Sequence, residues 1–254
     1  MKHVAGAACA LAFSAALGGC SYNEALGRNQ LLLVDNNALA QASQQAWDET
    51  LRTNRVSQDA RANARVSGVG QRLVQAAGLA DRPWQYVVFE NNAANAFVLP
   101  GGQIGVNTGL LAITENDDQL AAVIGHEIAH MTSNHAAERY SQTAATQAVL
   151  SGAGALLGGG GGSTASKAIG SLGGVGAQVG VLLPFSRRHE LEADRLGVDY
   201  MVRAGFRGSE ALKLWSNMAG SRNGASTGGM LSTHPSDTER LAALQAHIRQ
   251  MGYA

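Results

Sequence analysis

Hydrophobic residues recur with helical spacing over most of the chain. Over 37–77 no proline interrupts. Trp47, Leu51 and Val56 are followed by Val66, Val69, Leu73, Val74 and Ala77 on one face, with Gly78 as a stop. The period then changes. WQYVVFE at 84–90 follows Pro83 and reads as a strand, and NAFVLPGGQIGV gives two short extended pieces around Pro100-Gly101-Gly102. Residues 107–113 lead towards a helix with a well-marked start. Asn116 can cap it, Gln119 can complete the capping box, and Asp117 and Asp118 suit the first turn. That helix is predicted over 120–140, with Val123, Ile124, Ile128 and Met131 on its apolar face. Another covers 187–204, GSRNGASTGG at 220–229 reads as a flexible linker, and the last helix puts Leu241, Leu244 and Ile248 on one side. The predicted class is α+β, mainly helical, with a small β-sheet beside the helix that begins near Asn116.

Residues 151–183 depart from these patterns, being nearly all small or apolar, with five consecutive glycines at 158–162 that disfavour a helix. The stretch reads as a packed or mobile hairpin, against a membrane-touching hairpin. Glycines, Ser163, Lys167 and Ser171 break it too often for a membrane span.

Composition narrows the function classes. The 254 residues carry 19 basic and 19 acidic side chains, which gives no electrostatic case for nucleic acid. The N-terminus reads as a targeting segment: Lys2 and His3, then the apolar VAGAACALAFSAAL, then LGGC ending at Cys20. That ending resembles a bacterial lipobox, which implies cleavage before Cys20 and lipid on its thiol; the alternative is an uncleaved anchor. Ser21 in the next position favours the outer membrane in that resemblance. The expected layout is a signal peptide at 1–19, a lipidated cysteine and linker at 20–36, and one domain over 37–254 with the glycine-rich insertion. Cys9 leaves with the signal, so the mature body has no disulfide.

The chemistry concentrates in two segments. In GHEIAH, His126 and His130 are four residues apart, so a helix puts both imidazoles on one face, where both can reach a zinc ion at about 2 Å. Glu127 leans to the side of that pair, where it can take a proton from water at the metal. A catalytic zinc usually has three protein ligands, and RRHELEADRLG offers the third. Glu190 and Asp194 share a helix face; Glu190 can bind the metal and Asp194 can accept the second ring N–H of a ligand histidine. Glu192 points away from that pair. His135 follows His130 by five residues, a poor angle for the same metal on one helix, and reads as a helix-end or core histidine; His189 reads as surface or as support for the site.

NAFVLPGGQIGVNTGLL, QLAAVIGHEIAHMTSNH, SRRHELEADRLG and STHPSDTER, in this order within about 84–240, resemble the CAAX-prenyl-protease-like and heat-shock-membrane-protease-like zinc endopeptidases. The resemblance is closest to soluble bacterial members, which are periplasmic and often lipid-anchored. It implies a zincin-like fold and one zinc per chain on His126, His130 and Glu190, with Glu127 as base and Asp194 behind the ligands. It also implies that Asn95, Ala96, Phe97, Val98, Leu99 and Pro100 form an edge strand that pairs with an extended substrate. The loop carrying His234 can approach the zinc in this family. There His234 can stabilise an oxyanion, occupy the water position, or be a plain loop histidine. Arg240 can pair with a site carboxylate or lie on the surface. The chain lacks the several membrane helices of the integral-membrane members, which removes the case for processing prenylated peptides.

The expected activity is zinc-dependent hydrolysis of unfolded or misassembled periplasmic and outer-membrane proteins, on the periplasmic side of the outer membrane, with outer-membrane assembly machinery as a partner. The alternatives are a metal-binding chaperone or assembly factor with latched activity, and a structural zinc protein.

Overall fold

A computed structural model of the chain describes residues 20–34, 36–156, 185–220, 229–235 and 238–253. The expectations for 1–19, for 157–183 and for 221–228 lie outside the described residues.

The segment expected as a linker contains an antiparallel hairpin, β1 (Cys20–Asn23) and β2 (Arg28–Leu31). It has no apolar alternation because polar pairs hold it. Asn23 donates to Gln30 Oε1 at 3.0 Å, and the buried Gln30 donates to Ser133 O and Glu138 Oε2 at 2.7 and 2.6 Å. The next run divides into α1 (Asn36–Thr53) and α2 (Ala60–Ala76), with the Asp59 side chain capping α2. Trp47 of α1 is fully buried against Phe89, its indole N–H donating to Gln85 Oε1, whereas Leu51 faces solvent.

Strands β3 (Gln85–Phe89), β4 (Ala96–Leu99) and β5 (Gln103–Asn107) form a sheet in the order β3-β5-β4. β3 runs parallel to β5 and β4 antiparallel to it, after a turn in which Gly102 takes φ +94°. β4 is therefore an edge strand.

Then follow α3 (Thr108–Ile113), α4 (Asp117–Thr132), α5 (His135–Leu156), α6 (Arg187–Arg203), α7 (Ser209–Gly220), α8 (Met230–Thr233) and α9 (Thr238–Met251). Asn116 caps α4 by accepting from Gln119 N at 2.9 Å; Gln119 reaches back to Glu115 N rather than to Asn116. α7 was not anticipated, although Ala211, Leu214, Trp215 and Met218 recur at helical spacing and are buried.

The helix expected over 120–140 is two helices. Asn134 adopts φ +53°, a left-handed conformation that asparagine tolerates better than most residues, so α4 ends and α5 leaves in a new direction. α4 is also not one-sided. Every residue from Gln119 to His130 is buried, because α2, the sheet, α6 and α7 all pack on it.

The closest approach is between α4 and α6. A Cβ on Gly125 would lie 2.9 Å from Gly197 O, and one on Gly197 would lie 2.8 Å from His126 N. Two glycines thus let the two chemistry-bearing helices touch backbone to backbone beside His126.

Candidate metal centre

α4 contributes His126, Glu127 and His130, and α6 contributes Glu190 and Asp194. One turn separates the residues of each spaced pair, and the glycine contact brings the two faces together. His126 Nε2 lies 3.0 Å from His130 Nε2 and 3.4 Å from Glu190 Oε2, and His130 Nε2 lies 3.3 Å from Glu190 Oε1. His234, just after α8, completes the group: its Nδ1 is 3.2 Å from His126 Nε2 and 2.9 Å from Glu190 Oε1. All four residues are buried, and their donor atoms lie within 4.8 Å of one another.

These residues fit a zinc ion. Four ligand atoms at about 2 Å around a tetrahedral ion stand about 3.3 Å apart. The separations here, 2.9 to 3.4 Å, match that edge. The field also favours a cation. Burial opposes charge on His126, yet Glu190 and Asp194 outweigh it and raise its pKa. Burial likewise opposes charge on Glu190, but His126, His130 and His234 hold it ionised well below the usual carboxylate range. Burial lowers His130 well below the ordinary histidine value, leaving a neutral ring.

Asp194 stands behind His126, its Oδ1 2.9 Å from His126 Nδ1. Arg240 of α9 holds Asp194 in a two-pronged contact, Nε to Oδ2 at 2.5 Å and Nη2 to Oδ1 at 2.8 Å. Its Nη1 is 2.7 Å from Glu190 Oε2, without the alignment of a hydrogen bond, which leaves that buried oxygen available to a metal. Burial disfavours the Asp194 carboxylate, but Arg240 and His126 keep its pKa below the ordinary value. Arg240 also lies over the Trp215 ring, which stands against His126.

Glu127 is set apart from this lattice. Its Oε1 is buried without a hydrogen-bond partner, 3.3 Å from His234 Nε2 but poorly aligned with it. Burial pushes its pKa up to about 7, in the range of a base that both takes and returns a proton near neutral pH. It opens on a cavity of about 210 Å³, whose walls include Asn95 to Pro100, His130 and His234. Met131 and Phe185 also line it. Nothing local in the sequence marks Phe185, an isolated aromatic beyond the glycine-rich stretch, as a cleft residue, and Met131, one residue past His130, falls on the apolar face of its helix.

Glu192 is outside the cluster, as its place on α6 predicts. His135 and His189 are buried and stack on each other at 4.4 Å, so neither is a surface residue. Cys20 is exposed at the start of β1. Among the described residues no helix is long and apolar enough to cross a membrane.

Comparison with known proteins agrees with this geometry. The chain is 35% identical over 181 residues to the mitochondrial metalloendopeptidase OMA1 of Schizosaccharomyces pombe, covering 71% of this chain and 51% of that protein. It is 36% identical over 166 residues to the Saccharomyces cerevisiae OMA1, covering 62% of this chain and 45% of that protein. It is 30% identical over 195 residues to the beta-barrel assembly-enhancing protease of Escherichia coli, covering 73% of this chain and 39% of that protein. The chain thus spans about half or less of the length of these relatives. The model of peptidase family M48 matches residues 60–248, a stretch that contains both spaced pairs, the cleft strand and His234, and the chain belongs to that family.

Proposed function

We propose that this chain is a zinc-dependent endopeptidase whose ion is held by His126, His130 and Glu190. The observation that carries this reading is the buried, unpartnered oxygen of Glu127, placed between the donor cluster and the cleft. A closed structural metal site does not need a base there. Bound at this site, zinc supplies Lewis acidity toward a carbonyl and makes water easier to deprotonate. The chain's own groups do the rest. β4, at the edge of the sheet among the described residues, offers its outer side to an extended peptide, which aligns the substrate main chain along Asn95 to Pro100. Glu127 takes a proton from the attacking water and returns it to the leaving amine as the C–N bond breaks. Asp194 and Arg240 hold the His126 ring throughout.

His234 supports a second, latched reading. With Nδ1 at ligand distance from His126 and Glu190, it takes the place that attacking water needs, and its withdrawal opens the site. A metal-binding chaperone with latched activity uses the same contact. In this proposal Cys20 carries lipid after removal of 1–19, which places the domain over 37–254 on the periplasmic side of the outer membrane. Its substrates there are unfolded or misassembled proteins, and outer-membrane assembly machinery is its partner. The name of the E. coli relative, a beta-barrel assembly-enhancing protease, supports the reading of the task, and the OMA1 names support endopeptidase chemistry alone.

The test is cleavage of casein by the full chain in detergent, with zinc quantified in the same sample. Wild type and Glu127→Gln should hold equal zinc, and only wild type should cleave. If neither cleaves at one zinc per chain, His234→Ala separates the readings: activity released by it supports the latch, and silence favours the chaperone. Absence of zinc from wild type removes the metal assignment.

A further inference from the structure

His135 begins α5 because the chain turns at Asn134. The turn folds its ring back onto His130, so that the two Nδ1 atoms are 3.0 Å apart. A nitrogen pair at this distance is a hydrogen bond only if one of the two carries a proton. The rest of the contacts decide which one. On its far side, His135 Nε2 is 3.0 Å from Glu192 Oε2. Arg28 of the hairpin clamps that carboxylate, with Nε 2.6 Å from Oε1 and Nη2 2.7 Å from Oε2. With both oxygens held by the guanidinium, this carboxylate is an acceptor toward His135 as well. His135 therefore carries its proton on Nε2. A ligand histidine carries its proton on the ring nitrogen away from the metal, here Nδ1 of His130, and with that proton between the two rings the buried His135 ring has none on Nδ1. Its Nδ1 is then a lone pair, which accepts from the Nδ1–H of His130. A neutral His130 with its proton on Nδ1 has its lone pair on Nε2, the atom that faces His126 and Glu190.

We propose that His135 is a positioning residue for the metal ligand His130: it accepts the His130 Nδ1 proton and so sets the tautomer and ring angle that turn Nε2 toward the ion. Glu192, anchored by Arg28, holds His135 in the orientation this requires. His189, stacked on His135 with 17° between the rings, walls the contact from one side. The inference rests on the zinc reading of the site.

The test is zinc affinity of the full chain by chelator competition. His135→Ala should weaken binding by about 10- to 100-fold, the usual cost of losing a group that orients a ligand histidine. His135→Asn should recover most of that loss, because its Oδ1 can take the place of Nδ1 as acceptor. A wild-type measurement needs no variant: in the zinc-loaded protein, imidazole ¹⁵N shifts should show a protonated Nδ1 on His130 and an unprotonated Nδ1 on His135. The reverse pattern overturns the proposal, as does H135A binding within threefold of wild type, or H135N as weak as H135A. If wild type itself binds no zinc, the functional reading fails instead.

Discussion

The two ligand histidines of α4 stand one turn apart and are both buried, yet opposite ends of the chain support them. Behind His126 are Asp194 and Arg240, the latter from the C-terminal helix α9. Behind His130 are His135, Glu192 and Arg28, the last from the N-terminal hairpin. The first support is an ion pair with 3% of each side chain exposed, and every member is charged. The second places a neutral imidazole between the ligand and the ion pair, and its arginine side chain is 10% exposed. A buried charge left without its partner is far more costly than one near water. The His126 side should therefore be the rigid one, and the His130 side the one that tolerates change.

Variants can break or sharpen that contrast. The largest effect is expected for Arg240→Met, which strands the buried Asp194 carboxylate and should cost about 3–5 kcal/mol. Denaturant melts of the zinc-free protein measure it, and a loss under ~1 kcal/mol would contradict the charged-lock description. Gly197→Ala comes next. Its methyl meets the His126 backbone, so overpacking of about 1–3 kcal/mol should come with weaker zinc binding as α6 moves off α4. Unchanged zinc affinity at lower stability would show that the helix contact does not set the donor spacing.

Arg28→Met should cost less, about 1–2 kcal/mol near neutral pH, because Gln30 and His135 still serve the two carboxylates. The pH dependence has a definite sign. Folding depresses the pKa of Glu138 and of Glu192 below 4.5, as hydrogen bonds, those of Arg28 among them, outweigh burial. Their contribution is thus present above about 4.5 and lost as pH falls through the depressed values. Wild type and R28M should converge in acid; a gap that widens there would refute the pairing. The smallest effect is expected for Arg187→Ala. That residue bridges α6 to Glu239 of α9 on the surface, and ~0.5 kcal/mol or less should be lost. A larger loss would mean that the His126 side depends on its rim as well as on Arg240.

Much of the site is legible in the residues because it is written in short spacings. A four-residue interval on a helix is a statement about one face, and both His126/His130 and Glu190/Asp194 use it. The strand pieces around Pro100 and the Asn116 cap are equally local, and both are found. His135 is the core, helix-end histidine that its five-residue interval implies, outside the donor cluster, but its contact with His130 needs the turn at Asn134, which no spacing on a continuous helix shows. The hairpin was hidden for a different reason. Its strands are joined to the body by Arg28 and Gln30, and a polar residue in a short segment does not say what it pairs with.

The sequence by itself determined which groups carry the chemistry, and which of them share a helix face, because those facts depend only on residue type and on a repeat of 3.6. Tertiary structure alone decided that the two faces meet, through glycines 72 positions apart whose missing side chains let two backbones touch. It also decided that His234 joins the donors and that the support of each ligand ring is anchored by an arginine from a distant part of the chain. Such pairings are set by the packing of the whole core, and no local pattern encodes a contact between residues a hundred positions apart.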